Sequence, residues 1–242
     1  MMLKKTLAAL LIAAAFTGVA QAQLKYQEGT DYSVLATTLD QDEANKTIEF
    51  FWYGCPHCYH MEPALQEWLA SGKNTDQVEK IPAVTPNWEG GAYLFYTLRE
   101  LGMNAKEMDQ KIFDAFHKDK NRAIIFKKDA AIEFLVKNGA DKEKAEKAWE
   151  SLAVKQKVKH ASNLFEATKL DGVPGFVVAG KYLVGGDGDY PRLFDKLNTL
   201  AAKRTPAASM SEGTKSADAT AKSVEEAKPA ENSSAEAAKP SS

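Results

Sequence analysis

The chain holds 242 residues, with 31 lysines and arginines against 33 acids, a formal charge of −2 and 44% hydrophobic residues. That near-neutral balance excludes the basic footprint of a nucleic-acid-binding protein, and the length suits one compact domain carrying an insertion. Two cysteines exclude a disulfide-stapled scaffold.

The first segment reads as an export signal. Lys4 and Lys5 precede an apolar run over residues 7–16 that is too short to span a bilayer, and Val19-Ala20-Gln21-Ala22-Gln23 places small residues where a signal peptidase cuts. Residues 1–22 are expected to be a signal peptide, leaving a mature chain that starts at Gln23. Glutamine stands where a lipoprotein would carry cysteine, which argues against a lipid anchor. No second apolar run reaches the ~18 residues of a membrane span, so a soluble exported protein is expected.

Residues 47–53 follow as a strand. Ile48, Phe50, Phe51, Trp52 and Tyr53 are β-prone, and their near-continuous apolarity predicts burial on both faces and a central position. After Cys55-Pro56-His57-Cys58, the residues Met61, Leu65, Trp68 and Leu69 mark one face of a helix ending near Ser71-Gly72, and a short strand is expected over 78–81. Across 91–170 the period turns helical. Core stripes fall at Leu94, Leu98 and Leu101, at Met108, Ile112 and Phe116, and at Phe126, Ala130 and Phe134. Val154, Val158, Ala161, Phe165 and Thr168 continue them in a long helix that stops at Asp171-Gly172.

Residues 176–179 and 182–184 read as a hairpin around Gly180-Lys181. A last helix follows, capped by Asp189, with Pro191 in its first turn and Leu193, Leu197 and Leu200 facing inward. Residues 201–242 are rich in Ala, Lys, Glu and Ser, lack aromatics, and hold too few apolar side chains to offset the entropy of ordering them. They are expected to be a disordered tail; composition does not separate a tether or spacer from a dispensable extension.

The chemistry centres on the cysteine pair. A bridge across two residues closes too short a loop to stabilise much, so its value is chemical. A strand ending in Gly54 and feeding a helix puts Cys55 at the helix N-terminus, where free N–H groups and the macrodipole favour a thiolate. A stable thiolate leaves readily from a disulfide, which makes the pair an oxidant. Pro56 fits the first turn, where an N–H has no helical partner, and His57 adds a positive or hydrogen-bonding group beside the sulfur. In the implied mechanism a substrate thiolate attacks exposed Cys55, and Cys58 is the resolving partner.

Other readings compete. The pair could be half a zinc site with His60 as a third ligand, though no fourth is near. Haem attachment needs histidine where Tyr59 stands. Two inert buried cysteines fit the strand-to-helix context poorly. His60, His117 and His160 read as surface or helix-face residues, and Trp52, Tyr53 and Tyr59 as core or as the lining of an apolar groove.

Ile48-Glu49-Phe50-Phe51, Cys55-Pro56-His57-Cys58-Tyr59 and Gly172-Val173-Pro174 together resemble the DsbA family of bacterial periplasmic disulfide oxidoreductases. The resemblance implies an α/β thioredoxin fold with an all-helical domain inserted between its βαβ and ββα halves. The thioredoxin parts would be residues 23–90 and 171–200, and the insertion with its connecting helix 91–170. It implies a cis Val173-Pro174 bond beside Cys55, with both residues forming a substrate-binding wall. Valine before that proline, and the short stretch ahead of the first central strand, favour an oxidase over a dimeric isomerase.

By the same resemblance, Glu49 and Glu62 are expected to approach Cys58, where a buried acid relays its proton through water and Lys80 offsets the charge; Glu62 and Lys80 read equally well as ordinary surface charges. The expected partners are reduced, unfolded exported proteins and a DsbB-like membrane quinone oxidoreductase, in the periplasm. No cofactor, metal or nucleic acid is expected. The alternatives are a disulfide reductase or isomerase, and a non-catalytic peptide- or metal-binding module.

Overall fold

A computed structural model describes residues 25–204. The expected signal peptide, and the expected tail from residue 205 onward, lie outside the described residues. Five strands, β1 (Ser33–Val34), β2 (Thr47–Phe51), β3 (Val78–Pro82), β4 (Gly175–Val178) and β5 (Tyr182–Gly185), form one sheet in the order β1-β5-β4-β2-β3. β2 and β3 run parallel, and every other neighbouring pair is antiparallel.

Every residue of β2 is buried, because helices cover both faces of the sheet. On one face Met61, Leu65 and Trp68 of α2 (Pro56–Ala70) and Leu193 and Leu197 of α8 (Tyr190–Ala201) pack on Phe176 and Val178. On the other, Ala161 and Leu164 of α7 (Leu152–Thr168) pack on Ile48, Phe50 and Val177. A short helix α1 (Gln41–Ala44) precedes β2.

Between β3 and β4 the chain is helical throughout, as its period predicts. α3 (Glu89–Glu100), α4 (Ala105–His117), α5 (Lys128–Lys137) and α6 (Lys142–Glu150), with a 3-10 turn at Arg122–Ile125, lead into α7. This is a thioredoxin fold with a helical insertion. No described helix is long and apolar enough to cross a membrane.

Several expectations are corrected by tertiary contacts. β2 stops at Phe51, because the Cys55 N–H bonds the Trp52 carbonyl at 2.9 Å and turns the chain away from the sheet. Phe126 is 52% exposed; the 3-10 turn buries Ile124 and Ile125 instead, and α5 starts only at Lys128. α7 ends at Thr168, ahead of Asp171-Gly172, where Lys169 takes a left-handed φ of 54°.

The β4–β5 turn centres on Ala179-Gly180, both at positive φ, with the Lys181 N–H bonding the Val178 carbonyl at 3.1 Å. Gly180 is held there by the α1 region: a Cβ on it would lie 3.0 Å from Ala44 Cα, and its carbonyl accepts from the Leu39 N–H. The last helix, capped by Asp189 as expected, runs to Ala201. Arg204 donates to the Ala44 carbonyl and pairs with Asp76, so residues 201–204 belong to the fold and not to a tail.

Candidate active site

Cys55 is the N-cap of α2, with extended backbone, and its Sγ accepts the Cys58 N–H at 3.4 Å. Pro56 occupies the first turn without leaving an N–H unpaired. Gly54 leaves room for the Trp52 ring, which a Cβ there would meet at 2.4 Å. Both cysteines are free thiols, and Cys55 Sγ lies 3.2 Å from the Val173 carbonyl, to which it donates when protonated. The Val173-Pro174 bond is cis, and the Pro174 carbonyl accepts from the Gly186 N–H at 3.1 Å, so the returning strand brings this turn against Cys55.

The two thiols are unequal. Cys55 keeps 7% of its surface and Cys58 1%, so Cys55 is the more accessible of the two, but it is not the exposed residue the sequence suggests. Donation from the Cys58 thiol, ahead of the opposing effect of burial, brings Cys55 down from 9.0 to about 6; the backbone N–H groups of Cys58 and His57 and the His57 charge add to it. Burial pushes Cys58 far up, reinforced by its bond to Cys55, the Cys55 charge and Glu49. Pro56 and His57 themselves are exposed.

Behind Cys58 the structure gathers the three expected supporting residues. Strand alternation turns Glu49 to the α2 face, opposite Lys80 in the parallel register. Lys80 Nζ lies 2.6 Å from Glu62 Oε2 and 4.7 Å from the Phe51 ring centroid. Glu62 and Glu49 are both buried at 1%, and the Glu49 oxygens have no hydrogen-bond partner among the described residues. Burial raises Glu49 from 4.5 to about 8, opposed by Lys80 and assisted by Glu62 and Asp109. Burial disfavours the Lys80 charge, but Glu49, Glu62 and Asp109 outweigh it and hold the ammonium above its ordinary range.

Sequence reading missed three members of this cluster. Asp109 of α4 is buried, accepts from the Tyr53 hydroxyl, and takes the Arg99 guanidinium at 2.8 and 3.3 Å. Its Oδ2 lies 3.7 Å from Lys80 Nζ. The signal was present: Asp109 stands four residues before Phe113, on the buried face of α4.

His117 is likewise no surface residue. Its Nε2 is 2.9 Å from the Tyr53 carbonyl, its ring stacks on Tyr59 at 4.7 Å, and burial lowers its pKa against the opposing effect of the Tyr53 contact. His160 does lie exposed, 3.5 Å from Glu43. Tyr53 serves the buried cluster, while Trp52 stacks on Trp88 at 4.7 Å beside exposed Phe126. Among the described residues no group of three or more His, Cys, Asp or Glu side chains is placed to hold a metal ion, and His60 does not complete one with the cysteines.

Comparison with known proteins places the chain in one family. A family model described as the DSBA-like thioredoxin domain matches residues 73–198. The thiol:disulfide interchange protein DsbA of Burkholderia cepacia is 35% identical over 189 residues, covering 76% of this chain and 88% of its own. That of Pseudomonas aeruginosa is 32% identical over 179 residues, covering 73% and 83%. A crystal structure of a Pseudomonas aeruginosa DsbA variant superposes with a TM-score of 0.67 at 29% identity, over 74% of this chain and 97% of that one. By sequence and by fold alike, the chain belongs to the DsbA family of thiol:disulfide oxidoreductases.

Proposed function

We propose that the chain is a periplasmic dithiol oxidase that donates a Cys55–Cys58 disulfide to reduced exported proteins and is reoxidised by a DsbB-like membrane quinone oxidoreductase. The observation that carries this reading is the inequality of the thiols: Cys55 is stabilised as a thiolate at a helix N-terminus, and Cys58 is buried and held protonated. A pair built this way favours its reduced form, which makes its disulfide a strong electron acceptor. The export-signal pattern read in the sequence of residues 1–22 supports a periplasmic location.

In donation, a substrate thiolate attacks Cys55 Sγ, the Cys55–Cys58 bond breaks, and Cys58 leaves as a thiolate and takes up a proton. A second substrate thiolate attacks the substrate sulfur of the mixed disulfide, and Cys55 leaves as the stabilised thiolate. The substrate loses two electrons, which rest on the cysteines until the membrane partner's disulfide accepts them. Glu49 supplies the proton to Cys58 and recovers it on reoxidation, with Glu62 and Lys80 setting its local field. His57 assists the Cys55 thiolate, and Val173 and Pro174 form the wall against which the substrate backbone lies.

The competing assignment is a reductase or isomerase, which works from the dithiol. Equilibration with glutathione buffers separates the two. The oxidase reading expects a reduction potential well above that of thioredoxin; a value at or below about −270 mV would refute it. Cys55→Ser is expected to abolish oxidation of a reduced, unfolded protein.

A further inference from the structure

The charges gathered behind Cys58, three buried acids and two partly buried cations, do not balance. Three acids, Glu49, Glu62 and Asp109, share two cations, Lys80 and Arg99, and the partners are unevenly divided. Asp109 holds Arg99 through two contacts, accepts from the Tyr53 hydroxyl, and stands 3.7 Å from Lys80. Glu62 takes Lys80 at 2.6 Å and Gln66 at 2.9 Å. Glu49 receives no hydrogen bond from the described residues. A buried carboxylate without a partner is costly, so the surplus proton of the cluster resides on Glu49.

The geometry points to Asp109 as a positioning residue for proton transfer at Cys58: by engaging Arg99, Tyr53 and part of the Lys80 field, it leaves Glu49 unpaired and protonated at neutral pH. Asp109 and Arg99 belong to α4 and α3, so the helical insertion sets the acidity of a group on the central strand. This rests on the reading above, in which Glu49 exchanges a proton with Cys58. During donation the Glu49 O–H bond breaks, its electron pair stays on the carboxylate, and the proton forms the S–H bond of the departing Cys58; reoxidation reverses the step.

Among the described residues, the charged groups that act on Glu49 come from β3, α2 and α4. Lys80 faces it from β3, Cys58 and Glu62 from α2, and Asp109 from α4 with Arg99 of α3 behind it; Tyr53 closes the cluster beyond the end of β2. On β4 its partner is Phe176, which carries no charge.

Two variants of the full chain test the assignment in opposite directions. Glu49 ionisation is followed in the reduced protein by carboxyl carbon-13 NMR of labelled glutamate, with Glu49→Gln identifying the signal. Asp109→Asn removes a negative charge and frees Lys80, and should lower the Glu49 midpoint by about one unit. Arg99→Gln removes a cation and leaves Asp109 to compete for Lys80, and should raise it. The pH profile of disulfide donation should follow both shifts.

General loosening of the site would move both midpoints downward together, so shifts of the same sign overturn the inference, as do two unmoved midpoints. If Asp109→Asn does not fold, the direction of the Arg99→Gln shift decides alone. Unmoved midpoints with disulfide exchange intact would overturn this inference only; an unaltered chain that exchanges no disulfides would overturn the proposed function with it.

Discussion

Replacing Glu49 by glutamine should stabilise the reduced protein, and by an amount that depends on pH. The folded chain holds this carboxyl at about 8 against an ordinary 4.5, chiefly because burial opposes its charge. Below pH 4.5 folded and unfolded chains both keep the proton, and the residue adds no electrostatic penalty. Between 4.5 and 8 the unfolded chain releases a proton that the folded chain retains, so stability falls as pH rises, at ~1.4 kcal/mol per unit. At pH 7 the accumulated penalty is on the order of 3 kcal/mol.

Glutamine cannot titrate and escapes that penalty. Its amide lacks partners just as the carboxyl does, which adds an offset that is the same at every pH. The diagnostic quantity is therefore the change in the variant's advantage between pH 4 and pH 7, measured by urea unfolding of both dithiol proteins. An increase of about 3 kcal/mol is expected. Unfolding free energies that run parallel over this interval would refute the assignment of a raised pKa to Glu49.

Two further substitutions probe the site and its scaffold. Cys58→Ala removes the thiol donor that contributes most to lowering the Cys55 pKa, and the loss of one hydrogen bond to a charged sulfur should raise the Cys55 midpoint by about 1–2 units. Thiolate absorbance during a pH titration reads it, and an unmoved midpoint would show that the backbone N–H groups suffice. Gly90→Ala places a Cβ 2.4 Å from the Ile125 carbonyl oxygen, a backbone atom that cannot swing aside. It should cost roughly 1–3 kcal/mol in thermal unfolding, and a change under about 0.5 kcal/mol would contradict the tight seating of α3 on the 3-10 turn.

Much of the site was legible because its logic is local. Cys55, Pro56 and Cys58 owe their arrangement to one strand-to-helix turn, and the N-cap follows from the order of residues along the chain. The apolar run of β2 announced a central strand, and the stripes from Leu94 to Thr168 announced helices, though α5 buries Ala131, Ile132 and Leu135 where the pattern put Phe126, Ala130 and Phe134. Where the reading slipped, a distant contact overruled a local preference. Gly180 turns with Ala179 because Ala44 crowds it, and residues 201–204 stay in the fold because Arg204 reaches Asp76.

The long-range chemistry divides in the same way. The sequence by itself determined which residues can form a redox pair and which strand and helix present them, since hydrophobic period and capping act within a few residues. Only the tertiary structure decided that Lys80 is shared between Glu62 and Asp109, that Tyr53 and Arg99 close the cluster, and that Glu49 is left without a hydrogen-bond partner among the described residues. Charges interact through space and respond to desolvation, so their balance exists only once β2, β3, α2, α3 and α4 have packed together.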